Sequence, residues 1–250
     1  MSERRQPLVD PVEEGREIGA AAVERGVELK ITGGVAVAIN CPSAGRPPLA
    51  RQYADIDLVG LASRTAEITG VLEDLGYVAD VAFNALHGAS RLFFWDETNE
   101  RQVDVFLDRV EMCHEIDLRK RLGSPKPTLD LADLLLMKLQ IFETNEKDYL
   151  DILSLLTDHE FGTGPGEIDL PYLAGLAGED WGLWRTTTMV AERAVDFASA
   201  LAGLEATERV RRQVALYLDS LEAEPKSRGW KFRAKIGERK RWYELPEESH

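Results

Sequence analysis

The stretch ITGGVAVAINCPSAGRPPLARQYADIDLVG, from Ile31 to Gly60, places a Gly-Gly pair before two aspartates that are separated by one residue. The residues before the pair, ELKIT, are typical of a β-strand that ends at Gly33 and Gly34. The run VAVAI after the pair is consistent with a buried helix or a continuing strand, because a short apolar run does not decide its period. NCPSAGRPPLARQY is rich in proline, glycine and serine, which predicts a loop.

Carboxylates follow on two predicted strands. In ADIDLVGL, Asp55 and Asp57 point to one face, because successive side chains alternate across a strand. In RQVDVFLD the apolar residues share one face, and Asp104 lies on the opposite one. Three such carboxylates are not expected to gather without a cation, and a two-metal site would serve phosphoryl or nucleotidyl transfer. The alternative is that they occupy the solvated face of a half-covered sheet.

The glycines favour a phosphate site. Gly33 and Gly34 let the backbone approach a phosphate closely, and their N–H groups can point at the anion if a helix starts there. A tight turn, which is the alternative, needs only one glycine. The sequence contains neither G-x-x-x-x-G-K-[ST] nor a helix-opening G-x-G-x-x-G, and GTGPGE at 162–167 is predicted to be a surface loop.

Composition narrows the class of protein. The chain has 250 residues, of which 44% are hydrophobic, enough for one domain or two modest ones. Its net charge of −14 argues against broad nucleic-acid binding, which depends on neutralising phosphates. The sequence contains neither a secretory leader nor an 18-residue apolar run, so we expect no membrane segment. Two cysteines, Cys41 and Cys113, form no disulfide framework, and we expect a cytoplasmic protein.

The character of the chain changes near Thr128. Before it, the predicted helices are VEEGREIGAAAVERGV and SRTAEITGVLEDLGY. The predicted strands that follow ADIDLVGL are YVADVAF, ASRLFFWD and RQVDVFLD. After it, the predicted helices are LDLADLLLMKLQIFETN, EKDYLDILSLLTDHEF, WGLWRTTTMVAERAVDFASALAG and ATERVRRQVALYLDSLEAE, with GTGPGEIDLP as a loop. We predict an α/β (α+β) fold: a mixed sheet with flanking helices over 15–123, a helical domain over 124–225, and a tail over 226–250.

A lysine interrupts one apolar helix face. Lys138 stands seven residues after Leu131 and four after Leu134, on the apolar stripe. It either reaches the surface along that stripe or supplies a fixed positive charge for a polyphosphate. Lys147 and Asp148 begin the next predicted helix, where an acidic side chain also favours the helix dipole.

The ordered set of a Gly-Gly pair, a D-x-D strand and a later strand aspartate resembles the nucleotidyltransferase superfamily with the DNA polymerase beta-like fold. The residues that carry this resemblance are Gly33, Gly34, Asp55, Asp57 and Asp104. The spacer between Gly34 and Asp55 is longer than is usual in the family. The segment DLLLMKLQIFETNEKDYLDILSLL is similar to the AbiEii-type branch, which is associated with toxins of toxin–antitoxin systems. Its matching positions are Lys138, Lys147, Asp148 and Asp151.

The resemblance implies a role for each residue. Asp55, Asp57 and Asp104 would hold Mg²⁺ or Mn²⁺, and Asp104 would also help to activate the acceptor hydroxyl. Gly33 and Gly34 would hold phosphate oxygens of ATP or another NTP. Lys138 and Lys147 would complete the nucleotide site, with Asp148 orienting Lys138 or contacting the base or acceptor.

The implied reaction is metal-dependent transfer of an NMP from an NTP to an acceptor. The acceptor is an RNA, a protein hydroxyl or a small molecule, and a toxin would have a cognate antitoxin as partner. The alternatives are a non-catalytic nucleotide-binding regulatory protein that keeps the fold, and an unrelated α/β protein with a solvated acidic face.

The tail has its own character. Residues 226–250 carry eight Lys or Arg against four Glu, on an otherwise acidic chain. Aromatic residues are interleaved with the bases over 226–243, which suits an RNA acceptor through phosphate contacts and stacking. The alternative is that these aromatic and basic side chains pack against the acidic body.

Overall fold

The computed structural model describes residues 5–245, so the ends of the chain at 1–4 and 246–250 lie outside the described residues. The chain divides into two compact units. The first comprises Met1–Ile39, Gln52–Val110 and Glu115–Asp130, and the second comprises Asn40–Arg51, Glu111–His114 and Leu131–His250. Most of the proline-rich spacer before the aspartates therefore belongs to the second unit.

The described residues mix helices with strands, which confirms the predicted α/β class. The helices are α1 (Pro11–Glu24), α2 (Gly33–Asn40), α3 (Thr65–Asp74), α4 (Val81–His87), α5 (Leu131–Leu139), α6 (Glu146–Asp158), α7 (Leu170–Glu179), α8 (Trp181–Ala200), α9 (Thr207–Ala223) and α10 (Arg228–Ile236). The strands are β1 (Leu29–Thr32), β2 (Asp55–Gly60), β3 (Val78–Ala79), β4 (Arg91–Asp96), β5 (Arg101–Leu107), β6 (Arg109–Glu111), β7 (Glu115–Asp117), β8 (Phe161–Gly162) and β9 (Ile168–Asp169).

A mixed sheet organises the first unit, with the strand order β1-β2-β5-β4-β3. β2 and β5 are parallel neighbours, whereas the β1–β2, β4–β5 and β3–β4 pairs are antiparallel. The buried face of the sheet carries the apolar alternate residues, among them Ile31, Ile56, Leu58, Val103 and Val105. The opposite face of β2 and β5 is where the aspartates lie.

Helices build the second unit. Eight residues of α5 are buried, so this helix forms part of the core rather than a surface element. It contacts α6, α7 and α8, and α9 packs against α6, α7 and α8. Among the residues described, no helix combines the length and apolar character needed to cross a membrane.

In the first half of the chain, the structure decides the open VAVAI run and corrects the predicted strand YVADVAF. The VAVAI run is helical, because α2 begins at Gly33 itself. The predicted strand YVADVAF is wrong beyond Ala79: Asp80 caps a helix by accepting a hydrogen bond from the Phe83 N–H at 2.9 Å. An Asx cap of this kind satisfies a helix-end donor, and it overrides the β propensity of the valine and phenylalanine that follow.

The second half departs from the prediction at its helix ends. α5 stops at Leu139, well before Asn145. Asn145 instead caps α6, where it accepts a hydrogen bond from the Asp148 N–H at 3.1 Å. The predicted loop GTGPGEIDLP contains β9 and the start of α7. Asp169 caps α7 in the same way, by accepting from the Tyr172 N–H at 3.0 Å, and Pro171 occupies the first turn.

Candidate functional site

The carboxylate face is the surface of the first unit's sheet formed by Asp55, Asp57 and Asp104. Asp57 and Asp104 are direct partners in the parallel register of β2 and β5. Neighbouring strands lie about 4.8 Å apart, and in-register side chains point to the same face. Asp55 is exposed, two residues before Asp57 and on the same face. The structure thus brings these three predicted residues onto one surface.

Gly33 stands beside this surface. Its φ is +64°, a left-handed conformation that glycine adopts without steric cost. A Cβ at this position would lie 2.1 Å from Asp57 Oδ2. The backbone at the start of α2 therefore approaches the Asp57 carboxylate as closely as the absence of a side chain permits. Gly34 follows in the first turn of the same helix.

A polar atom without a partner lies next to Asp57. Thr32 is directly opposite Asp57 in the antiparallel register of β1 and β2, so both side chains lie on one face. Thr32 is 4% exposed, and its Oγ1 has no hydrogen-bond partner within residues 5–245. A buried hydroxyl without a partner costs free energy, which a bound ligand with a polar group would recover.

One carboxylate of the face is already paired with a cation. Arg91 Nε donates to Asp104 Oδ1 at 2.7 Å, and the Asp104 side chain is 12% exposed. In the described part of the chain, no group of three or more His, Cys, Asp or Glu side chains is arranged as a metal-ligand cluster. The repulsion expected among three carboxylates is thus partly relieved by a protein side chain.

Sequence reasoning missed Arg91, although the sequence contained a signal for it. β4 and β5 form a hairpin in which Phe93 pairs with Asp104 and Arg91 pairs with Phe106. Alternation then places Arg91, Phe93 and Asp104 on the same face. Pairing the two strands in sequence as a hairpin about the ETNE turn would have placed Arg91 near Asp104.

The buried ion network is a second group, formed in the second unit by Arg51, Lys138, Asp148 and Asp151. Lys138 Nζ lies 2.9 Å from Asp148 Oδ1 and 2.8 Å from Asp151 Oδ2. Arg51 donates two hydrogen bonds to the Asp151 carboxylate, from Nε at 2.8 Å and from Nη2 at 2.7 Å. Lys147, by contrast, is exposed on α6.

The network determines the charge state of its lysine. Burial by itself lowers the pKa of Lys138, but the attraction of Asp151 and Asp148 outweighs burial and raises the pKa above its ordinary value. Lys138 therefore stays protonated at neutral pH, and its charge is balanced by the two aspartates. Arg51 was not predicted, because nothing in the spacing of the proline-rich loop distinguishes it.

The aromatic tail packs within the second unit. Trp242 Nε1 donates to Thr186 Oγ1 at 3.1 Å, and the Tyr243 ring stacks on Phe142 with centroids 3.9 Å apart. Trp230 contacts the edge of Trp184 at 5.3 Å. These contacts match the packing alternative for the tail, whereas RNA binding stays a prediction.

A cavity of about 870 Å³ lies under this tail, bounded by α10 and the start of α8. Three indole rings line it, from Trp181, Trp230 and Trp242. Its charged lining residues are Arg233, Lys240 and Arg241 against Glu179, Asp180 and Glu244. The formal charges of the lining therefore cancel, three against three.

Comparison with known proteins gives limited similarity. No protein-family model and no curated protein matches the chain. Among solved structures, the antibiotic-resistance factor ANT(2'')-Ia is 18% identical, with a TM-score of 0.38 over 58% of this chain and 82% of its own. The lincosamide antibiotic adenylyltransferase LnuA, bound to lincomycin, is 19% identical, with a TM-score of 0.38 over 56% of this chain and 92% of its own.

A third solved structure covers more of the chain. JHP933 from Helicobacter pylori is 10% identical, with a TM-score of 0.40 over 90% of this chain and 97% of its own. With TM-scores no higher than 0.40, these likenesses establish neither a family nor an activity for the chain.

Proposed function

We propose that the protein is a nucleotidyltransferase that moves an NMP from an NTP to an acceptor hydroxyl. The observation that carries the proposal is the carboxylate face, on which Asp57 is in register with Asp104 on the neighbouring strand. The start of α2 lies beside it, where Gly33 leaves room for close backbone approach. Carboxylates for cations and helix-start N–H groups for phosphates are the two features that a metal-bound triphosphate requires.

The side chains of the face have the donor chemistry for Mg²⁺ or Mn²⁺. Hard divalent cations prefer carboxylate oxygens, and Asp55, Asp57 and Asp104 present them from adjacent strands. The unpartnered hydroxyl of Thr32 supports a polar ligand at the same edge. When bound, the cations would neutralise the triphosphate and stabilise charge that develops during transfer.

The chain's own residues would position the reactants. Gly33 and Gly34 would direct backbone N–H groups toward phosphate oxygens, and Asp104 would accept the proton of the acceptor hydroxyl. Catalysis of this kind depends mainly on positioning and charge stabilisation. Lys138, Lys147 and Asp148 are proposed to take part in nucleotide binding, with Asp148 orienting Lys138, whose Nζ lies 2.9 Å from Asp148 Oδ1.

The acceptor is proposed to be an RNA, a protein hydroxyl or a small molecule. A role as a toxin with a cognate antitoxin is a part of the same proposal.

A labelling experiment tests the proposed transfer. Each α-labelled NTP is incubated with the protein, Mg²⁺ or Mn²⁺ and a cell extract, and the labelled fraction is identified. We expect label in one of the three fractions. The Asp55→Ala, Asp57→Ala double variant should abolish it, whereas Asp219→Ala, at an exposed position of α9, should not.

A second candidate is a non-catalytic nucleotide-binding protein. It is favoured by the Arg91–Asp104 ion pair, which occupies one of the three carboxylates. This candidate predicts that Mg²⁺ with an NTP raises the thermal midpoint, because ligand binding stabilises the folded state, while no label is transferred. Label transfer that depends on Asp57 would exclude it.

A further inference from the structure

Arg91 contacts both the Asp104 carboxylate and two aromatic rings. Arg91 Nε donates to Asp104 Oδ1 at 2.7 Å, and the side chains are 27% and 12% exposed. The guanidinium carbon lies 5.2 Å from the centroid of the Phe106 ring and 6.0 Å from that of Phe83. Guanidinium groups stack favourably on aromatic faces at such distances. The arginine is therefore a positioned component of the carboxylate face.

Its charge has a consequence for cation binding. A divalent ion held by Asp57 and Asp104 would lie within a few ångströms of the guanidinium, and like charges at that range repel, most strongly where water is partly excluded. The ion would also have to replace Arg91 at Asp104 Oδ1. A metal that arrives with a triphosphate meets less repulsion, because the phosphate charges offset those of the ion.

We propose that Arg91 is the resident cation of the carboxylate face and competes with a divalent metal for Asp104. The inference rests on the proposed metal site and adds a positioning residue to it. Arg91 balances the charge of Asp104 and so partly relieves the repulsion among the three carboxylates when metal is absent, and it lowers their affinity for a free ion. Loading of the face is thereby biased toward metal that comes with nucleotide.

Direct binding of Mn²⁺ alone tests the inference without any measurement of activity. Free Mn²⁺ is followed by its electron paramagnetic resonance signal during titration of the wild-type protein, Arg91→Met and Arg91→Lys. We expect Arg91→Met, which keeps the length of the side chain without its charge, to bind Mn²⁺ about tenfold more tightly, a change that corresponds to about 1.4 kcal/mol. Arg91→Lys should stay close to wild type.

A matched control is available in the first unit. Arg109→Met removes the charge from an exposed 3.5 Å ion pair with Glu115, and it should leave Mn²⁺ affinity unchanged. Removing Arg91 also leaves a nearly buried carboxylate without this partner. Mn²⁺ should therefore raise the thermal midpoint of Arg91→Met by more than that of the wild type. If Arg91→Met fails to fold, Arg91→Gln, which keeps a hydrogen-bond donor, replaces it in both measurements.

The possible failures are distinguishable by one more variant, Asp57→Asn. If Asp57→Asn weakens Mn²⁺ binding but Arg91→Met binds no more tightly than wild type, the inference about Arg91 is overturned and the proposed metal site survives. If Asp57→Asn leaves binding unchanged, or no variant binds Mn²⁺, both the inference and the proposed metal site are overturned.

Discussion

Arg51 and Asp151 form a two-hydrogen-bond ion pair, with Nε 2.8 Å from Oδ1 and Nη2 2.7 Å from Oδ2. Arg51 lies near the end of the proline-rich spacer, whereas Asp151 lies on α6. The side chains are 13% and 2% exposed, so the pair is largely removed from solvent. The spacer is also attached through the Ser43 N–H, which donates to Asp158 at 2.8 Å. Through these contacts the part of the spacer from Asn40 to Arg51 packs as a component of the second unit.

Arg51→Ala should destabilise the protein. It leaves the buried Asp151 with Lys138 as its remaining cation, and removal of one partner from a buried pair costs about 3 kcal/mol. Urea unfolding followed by circular dichroism measures the loss. Arg211→Ala, which breaks an exposed pair with Glu208 on α9, should change stability little. Equal losses in the two variants would show that the buried ion network does not stabilise the second unit.

Gly33→Ala should affect both stability and ligand binding. The alanine is strained at φ +64° by about 1 kcal/mol, and its Cβ would displace the Asp57 carboxylate. Gly26→Ala is the control, because Gly26 has φ +63° and nothing within 4 Å of its Cβ. We expect a similar backbone cost in both variants, but weaker Mn²⁺ binding only in Gly33→Ala. Equal Mn²⁺ affinities would exclude a ligand role for this close approach.

His114 should make stability fall in mild acid. Burial lowers its pKa below the ordinary 6.5, while Asp180 opposes part of that shift. As the pH falls, the unfolded chain takes up the proton first. The contribution of neutral His114 is therefore fully present above about pH 6.5 and is lost progressively as the pH falls toward the lowered folded-state pKa.

Thermal midpoints between pH 7.5 and 5.0 measure this effect. In the wild-type protein, Thr186 Oγ1 lies 2.8 Å from His114 Nε2. The fall in midpoint should be smaller for His114→Gln, whose amide can still form a hydrogen bond with Thr186 Oγ1. His87→Gln, at an exposed helix end, should behave like wild type. If the fall is the same in all three proteins, protonation of His114 does not contribute to the acid sensitivity.

Trp242→Ala should loosen the C-terminal tail. Trp242 packs edge-on against Phe142 and Trp181, with centroids 5.6 and 5.8 Å apart, and it hydrogen-bonds Thr186. Loss of a fully buried tryptophan costs about 3 kcal/mol or more, and half-buried Trp242 should cost less than that. Phe232→Ala, in the same tail but 69% exposed, should cost much less. We therefore expect a lower thermal midpoint in Trp242→Ala but not in Phe232→Ala. If the midpoint of Trp242→Ala equals that of the wild type, the tail is not packed through Trp242.

Removal of residues 226–250 examines the RNA prediction separately. Since Trp230 and Trp242 pack within the second unit, we expect general destabilisation of the truncated chain. Electrophoretic mobility shift with a single-stranded RNA measures binding by the full chain. Loss of RNA binding at an unchanged thermal midpoint would instead support the RNA role of the tail.

Local chemistry made much of the carboxylate face predictable. Alternation along a strand is a property of the backbone, so Asp55 and Asp57 had to share a face once ADIDLVGL was recognised as a strand. The apolar run around Asp104 determined its orientation in the same way. The sequence did not show that β2 and β5 are parallel neighbours in register, because pairing between distant strands depends on the fold of the whole sheet.

Segments near helix caps were predicted less well. Asp80, Asn145 and Asp169 each start a helix by accepting a backbone N–H, and each shifted a boundary or changed an element. Their neighbours have mixed propensities, and the local cap hydrogen bond favoured the helix at each of these positions.

The sequence by itself determined the α/β class, the shared face of the two aspartates in β2 and the presence of a lysine on an apolar helix face. Only the tertiary structure decided which charges meet. Arg91 reaches Asp104 across a hairpin, and Arg51 and Lys138 share Asp151 although they are 87 residues apart in the chain. The physical reason is that an ion pair depends on side-chain distance and burial, which hydrophobic periodicity and residue spacing do not encode.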